Sequence, residues 1–385
     1  MMDEEGNHNK MNPGSANLLR DLLHPQQFLL PDIEASQGEL PTGYEWCTCD
    51  LNDDRTCYEI CRLLANRILL PYELYGQSKE YLQWCLCPPG YFADWHVGVR
   101  EVQSRRIAAF VSAVPARIRV HGNIIMVADL RYLCVDVPER EMIPQILLSC
   151  EISRRINLMG ITGQIGQGEW FLPAAQTAVS SLWIRHLDLS RIKDLHYKTP
   201  RPGMTIERVR RLCRLRDFIG TPGIRLMQPS DVLSVYTLLG DYLGQFAVAP
   251  VFTEEDVSHW LVPRVGVLDS FVIEKISGGR RVITEFFSYT QLVQTSREVF
   301  VKKVAQLFYY VHDPTTTLPR LMRDALLTAK YHNCHIFMAN EFMANWMFLE
   351  ELKFQQGHGQ VKYSLRVCGI DGELQTSKVG ISLPL

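Results

Sequence analysis

Six of the chain's 11 cysteines fall between Cys47 and Cys87, as the pairs Cys47/Cys49, Cys57/Cys61 and Cys85/Cys87. Zinc favours two thiolates with two residues between them, which lets both sulfurs reach one tetrahedral ion. Here the gaps are one, three and one. Cys57 and Cys61 suit one face of a helix. The cluster therefore reads as buried thiols, with no metal expected. Gly163-Gln164-Ile165-Gly166-Gln167-Gly168 has the glycines of a phosphate loop without the spacing of one. His96 follows Trp95 in an apolar stretch and reads as a packed, hydrogen-bonded histidine more readily than as a general base. The passage from Val135 through Asp136–Glu141 into a helix offers helix N-terminal amides, which suit an anionic ligand.

These residues must be held by elements that the hydrophobic pattern marks. Ile107 to Val120 is apolar and β-branched, so it reads as a strand, with a bulge or splay at Pro115. His121-Gly122-Asn123 is a turn, and Ile124 to Val135 returns as the second arm of a hairpin. A helix follows, with Ile143, Ile146, Leu147 and Cys150 at helical spacing. Ser230 is the expected cap of another helix, whose Val232, Val235, Tyr236, Leu239, Tyr242, Leu243 and Phe246 share a face. Val265 to Ile273 and Val282 to Thr290 read as strands around Ser277-Gly278-Gly279. Thr317 is the expected cap of a helix with Leu318, Leu321, Met322, Ala325, Leu326 and Ala329 inward. The pattern predicts a mixed α/β (α+β) protein of two similar halves.

Composition narrows the class. The 385 residues suffice for two to three domains, and 46% hydrophobic against 21% charged residues is ordinary for a globular chain. Forty basic and 42 acidic residues leave a net charge of −2, so nothing points to nucleic acid. No stretch approaches the roughly 18 apolar residues of a membrane span. The start Met1-Met2-Asp3-Glu4-Glu5 has no secretory pattern, and an odd number of cysteines suggests reduced thiols. A cytoplasmic location is expected. Residues 1–25 are polar and read as a disordered tail.

Short words recur in a telling order. Leu40-Pro41-Thr42-Gly43-Tyr44-Glu45-Trp46 is followed by Pro88-Pro89-Gly90-Tyr91, by Trp95-His96-Val97-Gly98-Val99-Arg100 and by Phe110-Val111-Ser112-Ala113-Val114-Pro115-Ala116. Later come Thr221-Pro222-Gly223-Ile224-Arg225, Ala249-Pro250-Val251-Phe252, His259-Trp260, Phe308-Tyr309 and Phe348 to Phe354. From about residue 26 to the C-terminus this series resembles the N-myristoyltransferases (glycylpeptide N-tetradecanoyltransferases).

The resemblance implies two pseudo-symmetric halves of acetyltransferase-like (GNAT) fold, with mixed twisted sheets flanked by helices. Residues 26–205 would hold acyl-CoA. Residues 206–385 would bind peptide, with the C-terminus returning to the active site. It implies transfer of a myristoyl group from myristoyl-CoA, a cosubstrate, to the N-terminal glycine amine of client proteins by a monomer without metal. The family's oxyanion word aligns with Arg131-Tyr132-Leu133-Cys134, so the amides of Tyr132 and Leu133 would polarise the thioester. The family's base is the terminal carboxylate, here that of Leu385, one residue beyond the usual end. Its CoA loop corresponds to Glu139, Arg140, Glu141, Met142 and Ile143. One cation stands there between two acids that would lie near phosphate. Gln27, Phe28 and Leu29 match the aromatic word that covers CoA. The peptide groove would include Tyr309, Leu182, Ile184, Gln294 and His358, and it lacks the family's acidic loop, which reads Ile68-Leu69-Leu70-Pro71-Tyr72 here. These edits leave two alternatives open: a weak or inactive acyl-CoA sensor or interaction module, and a GNAT-type transferase of another acyl chain.

Overall fold

The computed structural model describes residues 37–65, 75–76, 78–136, 139, 142–167, 176–188, 205, 207–208, 211, 214–215, 218–295, 301–367 and 374–382. The first half contributes β1 (Tyr44–Thr48), β2 (Tyr75–Gly76), β3 (His96–Glu101), β4 (Ile107–Val120), β5 (Asn123–Val135), β6 (Gly163–Gln167) and β7 (Gln176–His186). The second contributes β8 (Ile224–Leu226), β9 (Val248–Pro250), β10 (Leu268–Ser277), β11 (Arg280–Thr295), β12 (Val301–Val311), β13 (Ile336–Ala339) and β14 (Gln355–Arg366). The helices are α1 (Asp54–Ala65), α2 (Lys79–Leu86), α3 (Gln145–Leu158), α4 (Val232–Leu243), α5 (Glu254–Leu261), α6 (Leu318–Tyr331) and α7 (Trp346–Leu349). No helix among the described residues is long and apolar enough to cross a membrane.

The strands form one sheet in the order β1-β3-β4-β5-β6-β14-β7-β13-β12-β11-β10-β8, with β2 on β11 and β9 on β4. This order contains a duplication. In each half four strands run antiparallel, and a 14-residue helix (α3 or α6) then carries the chain to a parallel neighbour, β6 on β5 and β13 on β12. A parallel neighbour needs such a crossover. The halves then exchange their last strands: β14 pairs with β6, and β7 pairs with β13. β14 and β7 also pair with each other, which stitches the halves into one sheet.

β4 explains its own sequence. Residues 107–114 are buried on both faces. Phe110 and Val114 join the large core that runs through both halves, whereas Ala109, Val111 and Ala113 face a second core beneath α3. A strand covered on both sides needs a continuous apolar run rather than alternation.

Several local expectations change. Pro115 sits in regular register opposite Ala128, and the irregularity lies between Phe110 and Ser112. Pro115 is tolerated because β3 pairs with β4 only as far as Ser112, leaving an open edge where no N–H is needed. α3 buries Leu148, Ile152 and Ile156, while Ile146 is 59% exposed and Cys150 faces solvent. The four-residue spacing of the buried set outweighs the other stripe, and Ile143 is buried ahead of the helix. α4 is entered through a 3-10 turn at Pro229–Asp231, where Gln228 and Asp231 form the capping box in place of Ser230. Thr317 is the N-cap of α6 but makes no side-chain cap bond. Val265 is fully exposed, and the strand begins at Leu268. Gly163 to Gln167 is strand β6 and not a phosphate loop.

Candidate active site

The site is built where β5 leaves regular pairing. Phe110 faces Cys134 and Ser112 faces Arg131, so a two-residue step on β4 spans a three-residue step on β5. The extra residue makes a bulge at Tyr132-Leu133. Tyr132 there has φ +57°, a left-handed conformation that costs a non-glycine residue about 1–2 kcal/mol. Pairing with β6 ends at Leu130 among the described residues, so both ladders beside β5 are interrupted at this point. Strain of this kind persists only where the surroundings enforce it. The Tyr132 hydroxyl donates to Cys85 Sγ at 3.4 Å, and Cys134 Sγ donates to the Leu63 carbonyl at 3.6 Å.

Immediately before the bulge lies a buried ion pair. Asp129 and Arg131 share one face of β5, and Arg131 directs Nε and Nη2 at Asp129 Oδ2 at 3.0 and 2.5 Å. Its Nη1 donates to the Cys85 carbonyl at 3.0 Å and to Cys85 Sγ at 2.7 Å, and its guanidinium lies 5.4 Å from the Trp260 ring centre. Loss of solvent pushes the Asp129 carboxyl above the usual range, against the pull of Arg131. Asp129 and Arg131 line a cavity of about 320 Å³ between the halves, together with Val114, Ile165, Phe308, Tyr309, Ile381 and Ser382, among others.

The C-terminal residues reach this cavity along a fixed path. Lys378 C=O accepts from Ala247, Val379 C=O accepts from Met343, and Gly380 N–H donates to the Val248 carbonyl at 2.7 Å. Only glycine fits at 380, since a Cβ there would lie 2.6 Å from the Phe246 ring. Ser382 N–H then donates to the Tyr309 hydroxyl at 3.0 Å. Burial pushes the Tyr309 phenol well above its usual range, so it stays protonated.

The sequence-predicted residues do not form one cluster. Tyr132, Leu133 and Cys134 lie at the bulge, and Tyr309 borders the adjoining cavity with its hydroxyl already engaged by Ser382. Leu182, Ile184 and the backbone of His358 come together elsewhere. The register between β7 and β14 breaks between Gln356 and Gln360, so residues 357–359 arch over Leu182. The backbone of Gln294 pairs with Tyr75 and Lys302, apart from both. Leu385, Gln27, Phe28, Leu29, Arg140 and Glu141 lie outside the described residues. Glu139 differs from expectation: it is 4% exposed and pairs with Arg106, which also holds Asp136 at 2.6 Å. The tight turn in which Met142 and Ile143 N–H groups donate to the Glu139 carbonyl accompanies a side chain turned inward to Arg106. Met142 is exposed and Ile143 fully buried.

His96 is buried, with Nδ1 2.7 Å from Ser112 Oγ. The Cys47 and Cys49 sulfurs both pack against Gly98. No group of three or more potential metal ligands occurs among the described residues. Sequence reasoning missed Asp129, Ser288 and Ser382. Asp129 carried a signal, an acid two residues from an arginine within an apolar strand. Ser288 and Ser382 carried none.

Comparisons with known proteins agree with this geometry. Residues 26–179 match the N-terminal domain of myristoyl-CoA:protein N-myristoyltransferase, and residues 194–380 match its C-terminal domain. The chain is 37% identical to glycylpeptide N-tetradecanoyltransferase 1 of Arabidopsis thaliana, over 92% of this chain and 82% of that one. It is 34% identical to glycylpeptide N-tetradecanoyltransferase 2 of Bos taurus, over 91% of this chain and 71% of that one. The crystal structure of Saccharomyces cerevisiae N-myristoyltransferase with bound myristoyl-CoA superposes with a TM-score of 0.82 at 26% identity, covering 92% of each chain. A sheet with exchanged last strands, a strained bulge on β5 and a segment up to Ser382 that lines the adjoining cavity thus accompany matches over nearly the whole sequence, and the chain belongs to the myristoyl-CoA:protein N-myristoyltransferase family.

Proposed function

We propose that the chain transfers the myristoyl group of myristoyl-CoA to the N-terminal glycine amine of client proteins, acting as a monomer. Residues 26–205 hold the acyl-CoA and residues 206–385 the peptide. The single observation that carries this reading is the left-handed Tyr132 in the β5 bulge, next to the cavity that the C-terminal residues enter.

The thioester carbonyl lies against the amides of Tyr132 and Leu133, which stabilise the oxyanion as it forms. An N-terminal ammonium has a pKa of about 8 and must lose a proton before it attacks. The terminal carboxylate of Leu385 accepts that proton. The amine nitrogen then bonds to the carbonyl carbon, the carbon–sulfur bond breaks, and CoA departs as the thiol with the proton released by the nitrogen. Nothing in the reaction calls for a metal or a resident cofactor. The non-catalytic alternative finds no support in the comparisons, where the relatives are named as transferases.

Turnover of myristoyl-CoA with a Gly-initiated peptide tests the reading directly. Three chains are compared: native, extended by one residue beyond Leu385, and shortened to end at Pro384. Product from the native chain and loss of product on extension, with acyl-CoA binding intact, is the expected result. Equal rates for native and extended chains would remove the terminal carboxylate from the mechanism.

A further inference from the structure

Two thiols meet at the edge of the sheet, away from the bulge. Among the described residues β1 pairs with β3 alone, and Cys47 faces Gly98 across that pairing. Cys49 continues the ladder, its N–H donating to the His96 carbonyl at 2.8 Å. Residues two apart on a strand point to the same face, and Gly98 has no side chain to fill the space above it. A Cβ there would lie 2.8 Å from Cys47 Sγ and 2.6 Å from Cys49 Sγ. Both sulfurs therefore crowd one point, and the two thiols hydrogen-bond to each other. Cys47 is half-buried and Cys49 fully buried.

The two thiols are not equivalent. The hydrogen bond from Cys49, and then the Arg100 guanidinium, hold Cys47 below the usual thiol range, against its partial burial and the charge of Glu45. The same bond, and then burial, hold Cys49 above that range, with Arg100 and Arg155 opposing. Cys47 is thus the thiolate, and Cys49 keeps its proton. The other two pairs lack this combination. Their half-buried members are both pushed up, Cys61 chiefly by its bond to Cys57 and Cys87 by burial, to about 12. Cys57, which is lowered, and Cys85 are fully buried. A partly exposed thiolate beside a cation and a second thiol is the arrangement that peroxides oxidise.

We propose that Cys47 and Cys49 form a reversible oxidation site for peroxides, closing to a disulfide at the edge of the sheet. The Cys47 sulfur attacks one oxygen of hydrogen peroxide, the O–O bond breaks and hydroxide leaves, which makes Cys47 a sulfenic acid. The Cys49 sulfur then attacks the Cys47 sulfur, the S–O bond breaks, and the oxygen departs as water with the Cys49 proton. Two electrons pass from the thiols to the peroxide. Two residues along a strand span about 6.7 Å between Cα atoms, near the upper end of the roughly 4.4–6.8 Å that a disulfide bridges. The bond is therefore strained, and strained disulfides are the readily reduced ones. β3 and β4 separate β1 from the bulged β5, so this chemistry does not depend on acyl transfer.

The full chain can be tested as it stands, because cleavage after Lys and Arg releases Asp21 to Arg55 as one peptide whose only cysteines are Cys47 and Cys49. Reduced protein is treated with hydrogen peroxide at pH 7, the remaining thiols are alkylated, and the peptides are weighed by mass spectrometry. The Asp21 to Arg55 peptide should lose two hydrogens about tenfold faster than exposed Cys150 loses its free thiol. Reduced glutathione should reopen the bond. Cys49→Ser should stop at the Cys47 sulfenic acid, which dimedone traps. Cys47→Ser should react no faster than Cys150. Arg100→Gln should slow the native reaction about tenfold, since less thiolate is then present at pH 7. Oxidation of the native pair at the rate of Cys150, a native sulfenic acid that never closes, or a disulfide that glutathione leaves intact would each overturn the proposal. An unchanged rate in Arg100→Gln would overturn the part given to the cation.

Discussion

The hydroxyl of Tyr309 accepts the backbone N–H of Ser382 at 3.0 Å, and this bond ties the second half of the fold to the chain's last described residue. Tyr309 is held in turn by Ser288, whose Oγ accepts the Tyr309 N–H at 3.0 Å and donates to the Tyr309 carbonyl at 2.8 Å. The position of this contact is informative. Phe287 faces Tyr310 and Tyr289 faces Leu307, so β11 and β12 carry the same two-against-three irregularity as β4 and β5. Phe308 and Tyr309 occupy the places of Tyr132 and Leu133. The first bulge is strained at Tyr132, whereas Phe308 has no positive φ and the hydroxyl of Ser288 satisfies the second bulge. The duplicated bulge has become an anchor for the C-terminal segment.

Removing that anchor should impair turnover without impairing acyl-CoA binding. Tyr309→Phe deletes the acceptor for Ser382 N–H and leaves the ring packed against Phe252 and Phe308. A buried donor left unsatisfied costs about 1–3 kcal/mol, and the terminus is freed to shift. We expect kcat to fall about tenfold or more, with the Kd for myristoyl-CoA unchanged by calorimetry. Ser288→Ala should act in the same direction and more weakly. A drop in acyl-CoA affinity equal to the drop in kcat would show a general structural role instead.

Gly380 gives a steric version of the same argument. A methyl group there meets the Phe246 ring at 2.6 and 2.9 Å and Ala249 Cβ at 3.2 Å, all within buried structure. Gly380→Ala must therefore push the last residues off their path, at a cost of about 1–3 kcal/mol in overpacking. Turnover should be largely lost. Adding Phe246→Leu, which makes room on one side, should recover part of it. Failure of the second substitution to recover any rate, in a protein that melts like the native one, would place the damage elsewhere.

The sequence shows the outlines of this fold and hides its contacts. The β4/β5 hairpin could be read from its apolar arms and His121-Gly122-Asn123, and α6 from a stripe with a single solution. α3 offered two stripes, and only packing beneath β4 and β5 selects Leu148, Ile152 and Ile156. The apolar run before β10 extends to Val265, but pairing with β11 begins at Leu268. At the site, Tyr132 and Leu133 could be placed by resemblance, since the bulge is a feature of the backbone whatever the side chain. Glu139 could not, because its partner Arg106 lies 33 residues away and is found only through the turn that follows β5. Ser288 is a plain strand serine until the register sets it beside Tyr309.

The buried His96 sets a pH dependence of stability. Burial pushes its imidazole down to about 4, with Asp50 opposing weakly, and Nε2 has no hydrogen-bond partner among the described residues. An unfolded histidine titrates near 6.5. Between about pH 6.5 and 4 the unfolded chain therefore binds a proton that the folded protein refuses, so stability is complete above pH 6.5 and is lost as pH falls through that window. The shift corresponds to about 3 kcal/mol at pH 4. His259, also pushed down to about 4 by burial, loses stability over the same range, so the wild-type slope contains both. His96→Gln keeps a hydrogen-bonding group beside Ser112 and cannot titrate. Denaturant unfolding at half-unit steps from pH 7 to pH 4 should show a shallower decline for this variant, by close to one proton at the steepest point. Parallel curves for the two proteins would mean that His96 titrates in the native state as it does in the unfolded chain, and that burial does not govern its charge.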